Sequence, residues 1–570
     1  MIRAVLVLLI MIAAPVRADE PLARLRGISN ADLEARIHEI LGTSKASADD
    51  EIAMRRDLRT ARDRAQRFLR SEGYYAATIN GEISSDGRPR LTINAGTAFH
   101  LGTLTVESGD REARLIARTA ISAPVDNILT ADWVLAAEAM GQAALENAGW
   151  PDARALPRDV SIDHARDAGD VTFRYESGTF ARFGGVELQS TAWRRDFIER
   201  LANIETGLPV QRTGIDDYSR RLERLDSVRR ARVTLSEPDE ISERRALIVA
   251  LDPAPRHAVE ATISLSTSEG AGTSLAWSRR NLFGGDETVT LSAELASLVQ
   301  SFGARLSLPY WRRIDQRLVL NGGIKTEDTD AFQQNELSAG LDLFRELEND
   351  LDLQLGAFVD ISKVTDGSGE RDINSLRLTS ALAFDQRDNP LNPQSGVFAT
   401  LIMNPGHSFG DTDATYLKTE IRTSAYYPVS DRLVAAARLR LGTIIGASAT
   451  EMSADQRFYA GGGGSARGFV YQSLSPIDLT GAPAGGLSVT EFSAELRWRG
   501  EGRWGAVAFV DTAFANASRT PEFDSLRTGV GLGIRYFLDF APIRLDVATP
   551  LDRRAGEDPL HVYISIGQAF

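Results

Sequence analysis

The sequence predicts two fold classes in tandem: α+β modules, then a transmembrane antiparallel β-barrel of about sixteen strands. Three observations carry this expectation. Up to Asp252 the apolar residues recur at helical spacing in several segments, and after Pro253 and Pro255 the period becomes two. In the first half a helix, a glycine stop and a strand pair recur about every 75 to 80 residues. In the second half the alternation runs to Phe570 with no helical interruption.

The amino terminus has the order of a secretory signal peptide: Met1-Ile2-Arg3, an apolar run from Ala4 to Ala14, and a small-residue exit at Ala18. We assign residues 1–18 to it, because the apolar run is too short to span a bilayer as a helix. No other stretch is apolar for about eighteen residues, so no transmembrane helix is expected. Cysteine is absent from the 570 residues, which rules out a disulfide framework. A net charge of −14 argues against a nucleic-acid partner. The six histidines are scattered without metal-ligand spacing, and no cofactor motif stands out. No triad or paired-acid arrangement marks an enzyme.

In the first half, Arg55 to Arg70 places Leu58, Ala61, Ala65, Phe68 and Leu69 on one helical face, and Gly73 ends the run. Strand-like alternation follows at Ala77-Thr78-Ile79 and Arg90-Leu91-Thr92-Ile93. A second copy runs from the helix at Ala136 to Ala148, through Gly149-Trp150-Pro151, to Val171–Tyr175. A third has its helix at Tyr218 to Leu225 and strands near Ser227–Leu235 and Ala246–Leu251. Each copy reads as strand, two helices, strand pair. The Ser71-Glu72-Gly73-Tyr74-Tyr75 and Asn147-Ala148-Gly149-Trp150-Pro151 segments resemble the periplasmic POTRA domain, which implies three modules over 22–97, 98–178 and 179–254. An exposed sheet edge in such a module suits strand addition from an extended client.

Residues 257–570 form the expected barrel. Val259, Ala261, Ile263 and Leu265 alternate with Glu260, Thr262, Ser264 and Ser266, and Phe492, Ala494, Leu496 and Trp498 alternate with charged neighbours. Alternation puts the two sets on opposite faces. A soluble sandwich would show the same alternation in about seven strands. Sheets can cross lipid only as closed barrels, because every backbone polar group must be paired internally.

One stretch does not fit a strand: Gly461-Gly462-Gly463-Gly464-Ser465-Ala466-Arg467-Gly468-Phe469, inside a loop of about forty residues. No Gly-Lys-Ser/Thr follows it, so a phosphate loop is not indicated. An arginine in a partly dehydrated lumen needs carboxylates. Glu491, Ser493, Glu495 and Arg497 have the inward parity, while Asp511 stands alone in the apolar strand Val507–Ala513. We expect Arg467 to pair with Asp511 and, secondarily, with Glu495, with the glycines as a flexible stalk. Parity in the Asp511 strand is ambiguous, because Val507 and Phe509 share it.

Gly464, Arg467, Gly468 and Phe469 resemble the loop-six signature of the BamA/TamA superfamily of outer-membrane assembly and translocation proteins. Arg280-Asn281-Leu282-Phe283-Gly284-Gly285-Asp286 is similar to its turn after the first barrel strand, and Asp385 to Gly396 to its mid-barrel turn. Gly529–Arg535 and Ala541–Ala548 resemble its last strands. The terminal strand departs from the family pattern at Ser565 and Gln568. Three modules before a barrel match the superfamily's TamA branch best. That resemblance implies an outer-membrane location, with the modules in the periplasm. It implies a TamB-like inner-membrane-anchored partner, unfolded outer-membrane protein or autotransporter clients, and contact with outer-membrane lipid. It also implies a seam between the first and last strands, with Ile263 and Leu265 facing Ile564, Ile566 and Phe570, that opens laterally. A BamA-like insertase, a two-partner-secretion-type transporter and a passive porin-like channel are the rival readings.

Overall fold

The computed structural model describes residues 20–44, 50–238, 242–267, 269–348, 350–539 and 542–566. The signal-peptide segment, Gly567, Gln568 and Phe570 lie outside the described residues. The chain divides into two compact units: Met1–Glu187, Ala202–Arg220 and Val233–Val249; and Leu188–Leu201, Arg221–Arg232 and Ala250–Phe570.

The first unit repeats one topology. Its first module runs Arg24–Arg26, helices Ala31–Leu41 and Glu51–Ser71, then strands Thr78–Ile83 and Pro89–Asn94. The second runs His100–Ser108, helices Arg111–Ala120 and Ala131–Asn147, then Arg154–Asp163 and Ala168–Glu176. In both, the last strand sits in the middle, parallel to the first strand and antiparallel to its hairpin partner. The helices start where a short polar side chain holds free backbone N–H groups: Asn30 accepts from Asp32 and Leu33, and Asp50, Asp110 and Thr130 cap the next three. The second helix of each module stops just before a glycine, Gly73 and Gly149, whose φ values of 91° and 111° favour glycine. Leu33, Ile37, Ala61, Ala65, Leu69 and Ile93 interlock as the first core. A third set of strands, Arg182–Leu188, Val228–Leu235 and Arg244–Pro253, takes the same order.

The second unit contains a closed barrel of sixteen antiparallel strands. The first four are His257–Ser266, Gly270–Arg280, Thr288–Ala296 and Val299–Pro309. Strands seven to nine are Leu351–Asp366, Gly369–Asp385 and Gly396–Gly410. The eleventh, Leu433–Ile445, and twelfth, Ser488–Arg499, flank the long loop. The last four are Trp504–Asn516, Arg527–Phe537, Pro542–Pro550 and His561–Ile566. Val259, Ile263, Leu275, Leu295 and Leu378 are exposed on the outer face. Asp342, Asp360, Glu420 and Glu491 are buried inside. An apolar exterior around a polar interior is the pattern of a lipid-embedded barrel. Among the described residues no helix is long and apolar enough to cross a membrane.

One expectation needs correction. The turn at Asn281–Asp286 follows the second barrel strand, because Gly270–Arg280 is itself a strand. The first and last strands meet at the seam, where among the described residues Leu265 stands opposite Ile564 and Ser266 opposite Tyr563. Ile263 lies two residues before Leu265 on the first strand, and the side chain of Ile566 and all of Phe570 are outside the described residues. Thr267 extends the seam: its N–H donates to the Val562 carbonyl at 3.0 Å and its hydroxyl accepts from Val562 N–H at 3.0 Å.

The Asn281–Asp286 turn is a clamp. Asp286 accepts from the N–H groups of Asp226 and Ser227 at 3.1 and 2.8 Å, Asn281 Nδ2 donates to the Ala192 carbonyl at 2.8 Å, and Arg194 N–H donates to the Gly284 carbonyl. Trp193 Nε1 in turn donates to Ser227 Oγ at 2.8 Å. Burial pushes the Asp286 carboxyl up to about 6 against the pull of the Ser227 hydroxyl and the two N–H donors, with the Asp226 charge adding to the rise. A folded pKa above the unfolded one contributes stability that is full below the ordinary carboxylate range and lost as pH rises through about 6. The Trp193 fluorescence, obtained as wild type minus Trp193→Phe, is therefore expected to titrate with a midpoint near pH 6, and Asp286→Asn is expected to remove that titration.

Candidate functional site

The loop between the eleventh and twelfth strands folds into the lumen as a packed element. Phe458 pairs with Gly486 through the backbone in both directions at 2.7 and 2.9 Å, which ties the loop's two limbs together. Met452, Phe458, Ala460, Ala466, Phe469 and Leu474 from the loop share a buried cluster with wall residues such as Tyr416, Ile444, Val489 and Ala513. The glycines are therefore not a slack stalk. Gly461 and Gly462 are buried, with φ of 103° and 94°, and a Cβ on Gly461 would lie 2.5 Å from the Val470 carbonyl. Gly464 differs: a Cβ there meets nothing within 4 Å, and its contribution is a carbonyl that accepts from Arg438 Nη1 at 3.2 Å.

Arg467 sits at the tip, 2% exposed. Its Nε donates to Asp511 Oδ2 at 2.7 Å and its Nη2 to Asp511 Oδ1 at 3.0 Å, a bidentate fork, while its own N–H also donates to Oδ2 at 3.1 Å. Glu495 Oε1 lies 2.7 Å from Nη2, and Asp546 Oδ2 accepts from Nη1 at 3.1 Å. Glu495 also holds Arg497 at 2.7 Å, and Asp546 holds Arg535. The network thus contains three arginines and three carboxylates and is neutral. Neutrality matters, because a buried charge without its partner costs about 3–5 kcal/mol. The guanidinium also stacks on the Phe509 ring, with its carbon 3.5 Å from the centroid.

The strand that carries Asp511 turns Val507, Phe509, Asp511 and Ala513 all inward and buried, while Ala508 and Val510 face out. Parity there was a conflict only as long as inward meant polar. The ring of Phe509 is the floor under the guanidinium. Room for this comes from the fourteenth strand. A Cβ on Gly529 would lie 2.0 Å from the Arg467 carbonyl, one on Gly531 would lie 2.2 Å from Phe509, and one on Gly533 would lie 2.0 Å from an Asp546 oxygen.

The tip also touches both sides of the seam. Gly468 N–H donates to the Tyr563 hydroxyl at 3.2 Å, and that hydroxyl donates to the Phe469 carbonyl at 3.4 Å. On the other side, Gly463 N–H donates to Glu269 Oε1 at 2.8 Å, in the turn after the first strand. Phe469 packs under Arg527, whose guanidinium carbon is 4.9 Å from its ring centre. Leu265 and Ile564 meet across the seam, on the exposed face. Ser565, which departs from the family pattern, faces the lumen side and accepts from Arg544 Nε.

Asp546, Tyr563 and Glu269 were not among the expected site residues. Asp546 was findable by the rule that found Asp511, a lone carboxylate between Leu545 and Val547. Tyr563 has the parity opposite to Val562 and Ile564, which points it inward, but no local pattern names its partner.

A family model described as the Omp85 superfamily domain matches residues 281–570. The outer membrane protein assembly factor BamA of Nitratidesulfovibrio vulgaris is 26% identical over 333 residues, which are 54% of this chain and 41% of that protein. The chain therefore spans less than half the length of this relative. The crystal structure of BamA from Haemophilus ducreyi lacking POTRA domains 1–3 superposes with a TM-score of 0.69 at 13% identity, over 82% of this chain and all of that one. CdiB from Acinetobacter baumannii gives a TM-score of 0.48 at 14% identity, over 92% of this chain and 99% of that one.

Gly529→Ala keeps every charge and removes only the space under the Arg467 carbonyl. We expect it to lift the tip, seen as a several-fold faster protease cleavage of the loop and a larger single-channel conductance in planar bilayers, with heat-modifiable gel mobility retained. Gly464→Ala is expected to change neither quantity.

Proposed function

The chain belongs to the Omp85 superfamily, and from that premise we propose that it is an outer-membrane assembly and translocation factor of the TamA type. It sits in the outer membrane with its α+β modules in the periplasm. It inserts or secretes autotransporter-type clients that arrive unfolded, and its modules dock a TamB-like partner anchored in the inner membrane. No covalent chemistry is assigned to the site.

One observation carries the reading: a packed loop crosses the lumen to a buried ion cluster and bonds, from inside, to both sides of the seam, the last strand at Tyr563 and the turn after the first strand at Glu269. A passive channel has no use for such a device, since a diffusion pore is served by an open lumen. The seam joins the two ends of the sheet, which no turn connects, so it can part without disturbing a hairpin. A client strand can pair with the freed edge of the first strand by β-augmentation. The tip then sets whether the seam is available.

A BamA-like insertase with a broader client range is the second reading, supported by the 26% identity to the assembly factor of Nitratidesulfovibrio vulgaris. The two differ in clients and partner. Reconstituted in vesicles, the protein is expected to assemble an autotransporter barrel, and deletion of residues 22–97 to abolish capture of a TamB-like partner while the barrel still folds. Equal assembly of all outer-membrane barrels, with no partner captured by residues 22–97, favours the insertase. Arg467→Ala is expected to lower assembly at least about tenfold, and Arg467→Lys to fail as a replacement, because an ammonium offers neither the fork to Asp511 nor the stack on Phe509.

A further inference from the structure

We infer that the lipid-facing rim of the first four barrel strands selects anionic glycerophospholipid headgroups, of the phosphatidylglycerol type, from the periplasmic leaflet. This rests on the outer-membrane placement proposed above, and it names the lipid and the place that holds it.

Tryptophan marks the depth of the rim. Trp277, Trp311, Trp498 and Trp504 are the tryptophans of the barrel, and each lies within three residues of the strand end at which the chain enters it. Such rings belong at the headgroup level of a bilayer.

Register shows which side chains face lipid there. Val259 stands opposite Trp277 and Ala261 opposite Leu275, on the face where Val259 and Leu275 are exposed. Arg279, two residues beyond Trp277, shares that face and is exposed. His257 stands opposite Arg279 and stacks on the Trp277 ring, with centroids 5.5 Å apart and planes 23° apart. Arg312, also exposed, lies in the turn after the fourth strand, its guanidinium carbon 4.5 Å from the Trp311 ring centre. Tyr310 and Arg312 have φ of 54° and 61°, a conformation that L-residues rarely adopt unless the surrounding structure imposes it.

Charge separates this sector from the rest of the rim. Arg279 and Arg312 make no ion pair among the described residues, and neither does Arg256 just before the first strand. Arg313 and Arg345 share one carboxylate, Asp315, at 2.9 Å each. Glu260 on the first strand has lumen parity, and Asp286 and Glu287 after the second are buried. Around the eleventh to fourteenth strands the turn arginines are matched instead, Arg432 with Glu501 at 2.7 Å and Arg503 with Asp539 at 3.1 Å. A phosphate supplies the missing counter-charge at headgroup depth, since a guanidinium binds it through two N–H groups. Phosphatidylethanolamine brings an ammonium as well, and among the described residues this sector offers it only the doubly used Asp315. A headgroup with net negative charge needs no such partner.

The test uses the full chain in detergent, titrated with phosphatidylglycerol or phosphatidylethanolamine and read by native mass spectrometry. Phosphatidylglycerol is expected to be retained at concentrations where phosphatidylethanolamine is lost. Arg279→Gln combined with Arg312→Gln is expected to lower phosphatidylglycerol retention at least about fivefold and to leave phosphatidylethanolamine unchanged. Arg432→Gln combined with Arg503→Gln is expected to change neither, and heat-modifiable gel mobility checks that both variants fold. Equal retention of the two lipids by the native chain would overturn the proposal. So would undiminished phosphatidylglycerol retention after the first pair of substitutions, or displacement of the lipid by an equal concentration of inorganic phosphate. No client or partner is present in this measurement, so its failure counts against the lipid site and not against the assembly reading.

Discussion

The barrel interior depends on one buried guanidinium. Arg467 is fully desolvated at the tip of a loop, and a positive charge in that place is tolerable only because Asp511, Glu495 and Asp546 surround it. The converse holds for the carboxylates, two of which also carry a second arginine. Such a cluster adds little net stability over well-packed apolar residues, because the desolvation of six charges offsets most of the attraction. What it does enforce is place. The fork to Asp511, the stack on Phe509 and the contact with Asp546 are satisfied together in one position of the loop relative to the twelfth, thirteenth and fifteenth strands.

Position is what the seam requires. The same nine-residue tip reaches Glu269 on one side of the closure and Tyr563 on the other. Wall, loop and seam therefore form one connected structure, with the ion cluster at the wall and single hydrogen bonds at the closure. The glycines at 529, 531 and 533 belong to the same design, since three missing side chains let the loop backbone, an aromatic ring and a carboxylate lie against the strand.

Much of this was legible in the chain, and the reason is parity. A change of period from 3.6 to 2 marks the passage from modules to barrel, and a carboxylate at Asp511 in an apolar strand stands out locally. Partners far apart in sequence are different. Glu269 lies almost two hundred residues from Gly463, and Tyr563 almost a hundred from Gly468, so no local pattern records either pair. The second barrel strand is hard to read in the sequence for a physical reason: Gly270-Ala271-Gly272-Thr273-Ser274 carries small residues on both faces and shows little hydrophobic contrast. The turn at Asn281–Asp286 was consequently placed one strand too early. The glycine run read as slack because composition reports freedom of φ but not what packs against it.

The central claim is that the Arg467 cluster keeps the seam closed. The chain contains no cysteine, so Leu265→Cys with Ile564→Cys, which face each other across the closure, introduces the sole disulfide that can form. In the otherwise native protein this pair is expected to oxidise nearly completely, and with Arg467→Ala added the yield is expected to fall several-fold while the barrel remains folded. Equal oxidation with and without Arg467 would contradict the account, because the seam would then be held by its own strands and not by the loop.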